Sequence, residues 1–167
     1  YGLMNGTADG IFSPDMNLSR AMLVTILWRM EDTSAAIGGK VFSDVMPGQW
    51  YSDAVAWASA NSIISGYGDG RFGPDDYITR EQLAAILFNF AHYKKMDTSV
   101  SDYSTAAYTD MDTVSDWARD AMKWANAKGL ISGRSATTLA PLGYATRAEA
   151  AAILQRFLAI GANLAAA

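Results

Sequence analysis

The stretch SGYGDGRFGPDDYITREQ, from Ser65 to Gln82, joins a glycine-rich loop to the start of a helix. Thr79 and Gln82 have the spacing of a capping box, in which each side chain accepts a hydrogen bond from the other residue's backbone N–H. Arg80 follows the cap directly, although the first turn of a helix carries partial positive charge and disfavours a cation. The arginine therefore requires an explanation outside its own helix.

The same pattern occurs three times in the chain. Residues 5–22, NGTADGIFSPDMNLSRAM, match the opening stretch 60 residues later without a gap, and residues 132–149, SGRSATTLAPLGYATRAE, follow after a further 67. A capping hydroxyl followed by arginine recurs in each copy, and Glu149 completes a second capping box. The three pairs are Ser19–Arg20, Thr79–Arg80 and Thr146–Arg147, and the loop glycine Gly66 recurs as Gly133.

A second block, which contains two tryptophans, precedes the loop in two of the three copies. It begins with FSDV at Phe42 and with YTDM at Tyr108, and it aligns Asp44 with Asp110, Trp50 with Trp117 and Trp57 with Trp124. Repeat 1 starts too late to contain this block. The predicted units are residues 1–40 (the second half of repeat 1), 41–100 (repeat 2) and 101–160 (repeat 3), followed by a tail, 161–167, interpreted as a cloning remnant.

Apolar residues recur at helical spacing in both parts of the repeat, and the alternation typical of strands is absent. The first helices are predicted from Ser52 to about Ser62 and from about Ser115 to Ala127, with Gly129 as a stop. The second helices are predicted to begin at the three capping hydroxyls. Segments 32–40 and 95–107 are predicted linkers, and the fold class is all-α, built from tandem helix–loop–helix repeats.

The composition excludes several classes of function. The formal net charge is −4 and the pI is about 4.8, whereas a protein whose main partner is nucleic acid needs a surplus of Lys and Arg. No apolar run reaches the roughly 18 residues of a membrane span, and a chain without cysteine has no disulfides or thiolate metal sites. The loop lacks the pattern of a calcium loop and no Gly-x-Ser-x-Gly occurs, so no metal, cofactor or serine-hydrolase site is predicted.

The arginines have two explanations that the spacing leaves open. Either each guanidinium forms a structural ion pair with a nearby aspartate such as Asp44 or Asp110, or it faces a groove in which it and the helix N-terminus together bind an anion. The glycines and tryptophans are equally ambiguous. Gly66 and its copies permit a tight turn but also leave N–H groups near a ligand, and the tryptophans either pack in the core or serve as sugar platforms.

The pattern FSDV…W…AVAWA…IISGYGDGRFGPDDYITREQLAAIL of repeat 2 resembles the S-layer homology (SLH) motif of bacterial cell-surface proteins. That motif opens with aromatic–x–Asp–Val, continues with a Gly-x-x-x-Gly-x-Phe-x-Pro loop and ends in Ile-Thr-Arg-Ala-Glu. The resemblance implies three motifs packed as a pseudo-threefold helical domain. It also implies a non-catalytic, extracellular module that holds proteins on a secondary cell-wall polysaccharide, often one bearing a pyruvate ketal.

Carried onto this chain, the resemblance places the three arginines in grooves between motifs, where each receives a carboxylate of the acidic polysaccharide. The copy in repeat 2 is the most complete, because repeat 1 reads Ser-Arg-Ala-Met and repeat 3 lacks the loop aspartate and the phenylalanine. Its groove is therefore expected to be the most intact. The predicted carbohydrate-binding residues are Arg20, Arg80, Arg147, Asp44, Asp110, Gly66, Gly133, Trp50 and Trp117.

Two other functions stay open at this stage. In a structural assembly domain of a surface layer the arginines would be salt-bridged, and in a hydrolase two carboxylates would face each other across a cleft. A site made of repeated elements favours binding over catalysis. The helix after Ser19 is apolar on several sides, so its exposed face predicts self-association unless a first helix, in roughly the 20 residues before Tyr1, covers it.

Overall fold

The computed structural model describes residues 3–31, 38–100 and 108–165, with the backbone alone from 162 to 165. Within these ranges the chain forms five α-helices, short 3₁₀ turns and no β-strand, so the predicted all-α class is confirmed. The helices are α1 (Arg20–Met30), α2 (Ser52–Ala60), α3 (Arg80–Tyr93), α4 (Arg119–Ala127) and α5 (Arg147–Ala165).

The first helices of the repeats are shorter than predicted. Helix α2 ends at Ala60, because Ser62 adopts a left-handed backbone (φ +59°) and the Ile63 N–H turns back to the Ala58 carbonyl at 2.8 Å. In repeat 3 the predicted helix is divided into a 3₁₀ turn, Asp116–Ala118, and α4. Residues 32–37 and 101–107, in the predicted linkers, lie outside the described residues. The backbone of α5 continues into the predicted tail.

The second helices, α1, α3 and α5, begin directly after the capping hydroxyls. Thr79 Oγ1 accepts a hydrogen bond from the Gln82 N–H at 3.3 Å, and the Thr79 N–H donates to Gln82 Oε1 at 3.2 Å. Thr146 and Glu149 bond in the same way at 3.2 and 2.9 Å. Ser19 caps α1 from one side only, because residue 22 is a methionine. Local sequence therefore sets where each of these helices begins.

A closed ring of backbone hydrogen bonds joins the three repeats. Leu18 N–H donates to Ala145 O at 2.9 Å, Ala145 N–H donates to Ile78 O at 3.0 Å, and Ile78 N–H donates to Leu18 O at 2.9 Å. The three residues occupy equivalent positions just before the caps, and all are buried. The repeats are therefore arranged around a pseudo-threefold axis, with repeat 3 returning to repeat 1.

Each first helix packs against the second helix of the preceding repeat, α2 on α1 and α4 on α3. Trp124 of α4 packs on Phe88 of α3 in this layer, whereas the buried ring of Trp57 of α2 contacts Phe90 of α3, in its own repeat. The prediction of an uncovered apolar face on the helix of repeat 1 is therefore wrong, because α2 covers α1. An apolar groove of about 460 Å³ does lie between repeat 1 and α5, where Ile26 of α1 and Leu158 of α5 are among the lining residues. The predicted self-association through repeat 1 stays a prediction.

Candidate functional site

Each of the repeated arginines reaches the loop of the next repeat. The side chains are only 4–5% exposed, and in every case Nε donates to a loop carbonyl. The bonds occupy equivalent positions and close the same ring as the backbone does. They join Arg20 to Phe72 (2.8 Å), Arg80 to Leu139 (3.0 Å) and Arg147 to Phe12 (3.0 Å). Loop carbonyls are thus the structural partners of the arginines.

The two repeated aspartates hold the loops and not the arginines. Asp44 accepts hydrogen bonds from the backbone N–H groups of Phe72 and Gly73 at 2.8 and 2.7 Å. Asp110 does the same in repeat 3, at 2.8 and 2.7 Å. Neither carboxylate forms an ion pair within the described part of the chain, so the predicted arginine–aspartate bridge is wrong.

The pKa values of these aspartates follow from the same contacts. Burial opposes ionisation of Asp44, but the N–H groups of Phe72 and Gly73 outweigh it and hold the pKa of Asp44 below its ordinary value. Asp110 has the same balance, with burial opposed by two backbone N–H groups, and its pKa is also lowered. Both carboxylates are therefore anionic at neutral pH and fix the loops on which the arginines rest.

The helix N-termini are occupied by protein acceptors. The Arg80 N–H donates to Gly143 O at 2.9 Å, the Glu81 N–H to Pro141 O at 2.9 Å, and the third N–H to the cap hydroxyl. Helices α1 and α5 repeat this arrangement against their own neighbouring loops. These amides are consequently unable to share an anion with the guanidinium, which was part of the groove hypothesis.

Two grooves combine one element from each of the three repeats. The Arg20 groove, of about 540 Å³, is lined by Arg20 of repeat 1, the loop around Gly66 of repeat 2 and Trp117 of repeat 3. The Arg147 groove, of about 530 Å³, is lined by Arg147 of repeat 3, the loop around residue 6 of repeat 1 and Trp50 of repeat 2. Each groove therefore requires all three repeats.

The paired tryptophans divide between core and surface. Trp57 and Trp124 are 3% and 0% exposed, as expected of core residues. Trp50 and Trp117 are 55% and 61% exposed, and both lie at a groove. The first tryptophan of each pair precedes its helix and therefore stays at the surface, whereas the second lies on the helix and is buried by the neighbouring helices.

Two of the predicted site glycines are required by the loop itself. A Cβ on Gly66, whose φ is +74°, would lie 2.5 Å from Arg71 O and 2.6 Å from the Phe42 ring. Gly133 is equally closed by neighbouring backbone and the Tyr108 ring. The close packing of these loops explains the glycines without a ligand, although Gly66 also lines the Arg20 groove.

The three guanidinium groups differ in how many of their nitrogens lack an acceptor among the described residues. Arg80 donates to Ser132 O as well as Leu139 O, and its Nη1 lies 3.5 Å from Glu149, which also pairs with Arg134 at 3.0 Å. Arg20 has no acceptor for either terminal nitrogen among the described residues. The groove formed by the loop of repeat 2, expected to be the most intact, therefore presents the freest arginine, and that arginine belongs to repeat 1.

Several groove residues escaped prediction. Tyr67 lies under the Arg20 guanidinium, 4.5 Å from its carbon to the ring centroid, and Thr25 and Arg29 line the Arg147 groove. Self-alignment hides Tyr67 and Thr25 because they differ between copies: Tyr67 aligns with a threonine and an arginine, and Thr25 aligns with two alanines. Arg29 aligns with Asn89 in repeat 2 but recurs as Arg156 in repeat 3. A search for differences between copies would have found Tyr67 and Thr25, and the agreement between Arg29 and Arg156 was a signal for Arg29.

The fold and its grooves define a binding domain built from repeats. The family model of the S-layer homology domain matches residues 1–21, 41–84 and 107–151, which is more than half of the chain. The chain therefore belongs to the S-layer homology domain family, whose domains anchor surface proteins to the cell wall. It is accordingly an anchoring module of the bacterial cell surface.

Several similar proteins contain this domain within much longer chains. The amylopullulanase of Thermoanaerobacterium thermosulfurigenes is 32% identical over 97% of this chain, and the surface-layer 125 kDa protein of Lysinibacillus sphaericus is 32% identical over 93%. The cellulosome-anchoring protein of Acetivibrio thermocellus is 28% identical over 95% of this chain. The chain spans only 9%, 13% and 36% of their respective lengths, so the match concerns the anchoring domain.

Among the helices within the described ranges, none has the length and apolar character needed to cross a membrane. The same part of the chain contains no group of three acidic or histidine side chains placed to hold a metal ion.

Proposed function

We propose that this domain binds an acidic secondary cell-wall polysaccharide, with a pyruvate ketal as the acidic group, in the Arg20 and Arg147 grooves. The guanidinium of Arg20 is the main support for this proposal. It is 5% exposed, lines a groove of about 540 Å³, and leaves both terminal nitrogens without an acceptor among the described residues. A buried cation with free donors at the base of a groove is suited to a carboxylate.

The contacts of Arg20 would prepare it for such a ligand. The bond from Nε to Phe72 O fixes the plane of the guanidinium, and the Tyr67 ring lies 4.5 Å below its carbon. The terminal nitrogens, which have no acceptor among the described residues, form a planar fork that matches the two oxygens of a carboxylate. Because the group is held before binding, little side-chain entropy is lost when the ligand arrives.

The exposed tryptophan would contribute the second part of recognition. Trp117 is 61% exposed at the Arg20 groove, and a tryptophan face offers a large, rigid apolar surface to the C–H face of a sugar ring. Trp50 has the same position in the Arg147 groove. In this proposal the arginine binds the acid, and the tryptophan and the loop orient the ring.

The composition of the grooves supports binding without catalysis. Glycoside hydrolysis requires two carboxyl groups on opposite sides of the scissile bond. Asp120 is the one acidic residue that lines the Arg20 groove, and the lining of the Arg147 groove contains none. Neither groove supplies the pair, so the proposed role is retention of the polymer.

A structural assembly role has one observation in its favour. All three arginines link repeats through loop carbonyls, and Arg80 in addition lies 3.5 Å from a carboxylate, that of Glu149. Under the assembly hypothesis all three arginines would be neutralised in this way. Arg20 lacks such a carboxylate partner among the described residues, which favours the sugar-binding proposal for its groove.

Sedimentation with purified wall polysaccharide tests the proposal. We expect the domain to sediment with the intact polymer and to stay in solution after mild acid has removed the ketal-linked pyruvate. Arg20→Lys should weaken binding, because an ammonium cannot reproduce the two-pronged contact of a guanidinium.

Arg119→Lys is the matched control, because Arg119 is an exposed arginine paired with Asp116 at 2.8 Å. It should bind like the unchanged domain. Equal binding of the intact and acid-treated polymers would contradict recognition of the acid. Equal binding by Arg20→Lys would remove Arg20 from the site.

A further inference from the structure

The Arg20 and Arg147 grooves have the same plan, but they differ at two positions of the helix that forms one wall. Thr25 and Arg29 of α1 line the Arg147 groove, and the equivalent residues of α3, Ala85 and Asn89, line the Arg20 groove. The first groove therefore has a hydroxyl and a second cation where the other has a methyl group and a neutral amide.

Thr25 is an unusual residue for its position. It is 2% exposed in the middle of α1, and its hydroxyl is buried without a hydrogen-bond partner in the part of the chain that the structure describes. Buried hydroxyls in proteins are nearly always paired, because an unpaired one loses its bonds to water. A polar ligand in the Arg147 groove would supply the missing partner.

Arg29 has donors to spare, whereas Arg147 has few. Arg147 uses Nε and Nη2 on Phe12 O and Asn5 O, and its Nη1 faces the Met22 sulfur at 3.8 Å. Arg29 uses only Nη1, in a long bond of 3.3 Å to Leu3 O. Its Nε and Nη2 have no partner among the described residues.

The equivalent amide of the other groove is already engaged. Asn89 donates to Ile63 O at 3.2 Å, at the loop position that corresponds to Leu3. The charge balance also differs, because Asp120 lines the Arg20 groove while no acid lines the Arg147 groove. The Arg147 groove thus has the more positive lining, and Arg29 is its exposed cation.

We propose that Arg29, assisted by the Thr25 hydroxyl, is the main anion-binding residue of the Arg147 groove, and that Arg147 chiefly joins the repeats there. This inference rests on the proposed function, since it assigns the carboxylate of the acidic sugar within one groove. In the Arg20 groove the repeated arginine itself receives the acid. The two grooves therefore bind one class of ligand through different residues.

Calorimetric titration with a methyl glycoside that bears a pyruvate ketal tests the inference, in a background where Arg20→Lys has weakened the other groove. Arg29→Asn should lower the remaining affinity about tenfold to a hundredfold, because a charge-assisted contact is lost. Arg29→Lys should restore part of it. Thr25→Val keeps the shape of the side chain and should reduce affinity without lowering the melting temperature of the free domain.

The reciprocal change is the matched gain of function. Asn89→Arg with Ala85→Thr gives the Arg20 groove the residues of the Arg147 groove, and it should raise the affinity of the former about tenfold. Unchanged affinity in Arg29→Asn, when the parent domain binds the glycoside, would overturn this inference and leave the proposed function intact. Absence of binding by the parent domain, with the glycoside and with intact polymer, would contradict both.

Discussion

At the scale of single residues, one arginine position serves different purposes in the three repeats. Arg80 is fully engaged by carbonyls and by Glu149, whereas Arg20 keeps its terminal nitrogens free of protein acceptors within the described chain. The carboxylate contact depends on the residue three positions after the next cap, which is Glu149 for Arg80 and Gln82 for Arg20. A repeated residue therefore takes its role from the neighbour that it meets.

Arg80→Ala should destabilise the domain by about 3 kcal/mol, because it leaves two loop carbonyls unpaired and removes a cation from Glu149. Arg20→Ala should lower the stability less than Arg80→Ala does, since fewer protein contacts are lost. It should lower the affinity for the sugar more, since Arg20 has the free terminal nitrogens. Urea denaturation measures the first effect and polymer sedimentation the second. A larger loss of stability in Arg20→Ala than in Arg80→Ala would contradict this division of roles.

The lowered pKa values of Asp44 and Asp110 predict loss of stability in acid. Below their ordinary value of 3.8 the unfolded chain binds more protons than the folded one, so the stabilisation is complete above that pH and is lost as the pH falls through the lower folded values. Melting temperatures measured from pH 6 to pH 2 should show this decline. In the double variant Asp44→Asn, Asp110→Asn the decline should be shallower; an unchanged slope would mean that other carboxylates dominate.

At the scale of elements, each second helix is fixed by its cap and by the loop that covers its first turn. Thr146→Ala should destabilise the domain by about 1 kcal/mol, because the N–H of Glu149 loses its acceptor. Thr146→Ser keeps the hydroxyl and should be nearly neutral. Thermal or urea melts of both variants provide the comparison. A large loss in Thr146→Ser would show that the methyl group, and not the cap, stabilises this turn.

Local features of the helices could be predicted from sequence, because hydroxyl caps and glycine stops act within a few residues. Thr79, Thr146 and Gly129 lie where the pattern put them. The partners of the arginines could not be predicted in this way, because repeated sequences show which residues are equivalent but not which repeats are in contact. The packing of α2 on α1 depends on the same unknown order around the axis. The N–H groups that Asp44 binds lie in its own repeat, but 28 and 29 residues further along the chain, beyond the reach of local signals.

At the scale of the whole molecule, ring closure makes the repeats depend on one another. Open arrays of repeats lose stability piece by piece, but here the last repeat bonds to the first through Arg147 and Ala145. The grooves inherit this dependence, since each is built from all three repeats. Binding of a ligand in either groove should therefore stabilise the entire domain.

Ala145→Pro should lower the protection of all three repeats from hydrogen exchange, because it removes one donor of the backbone ring. Ala136→Pro is the control, as the N–H of Ala136 makes no hydrogen bond within the described chain. Hydrogen exchange with mass spectrometry reports each repeat separately. Loss of protection confined to repeat 3 would show that the repeats are independent.

The ring also has a mechanical consequence. Helix α5 begins at Arg147, whose guanidinium is bonded to carbonyls 142 and 135 residues away along the chain. A pull along α5 therefore loads contacts to the opposite end of the sequence before it can unravel a single repeat. The time for which a folded domain withstands a pulling force depends on its unfolding rate and not on its equilibrium stability. In this geometry a pulling force on the anchoring domain would be distributed over all three repeats. The domain would stay folded until the contacts that close the ring break together.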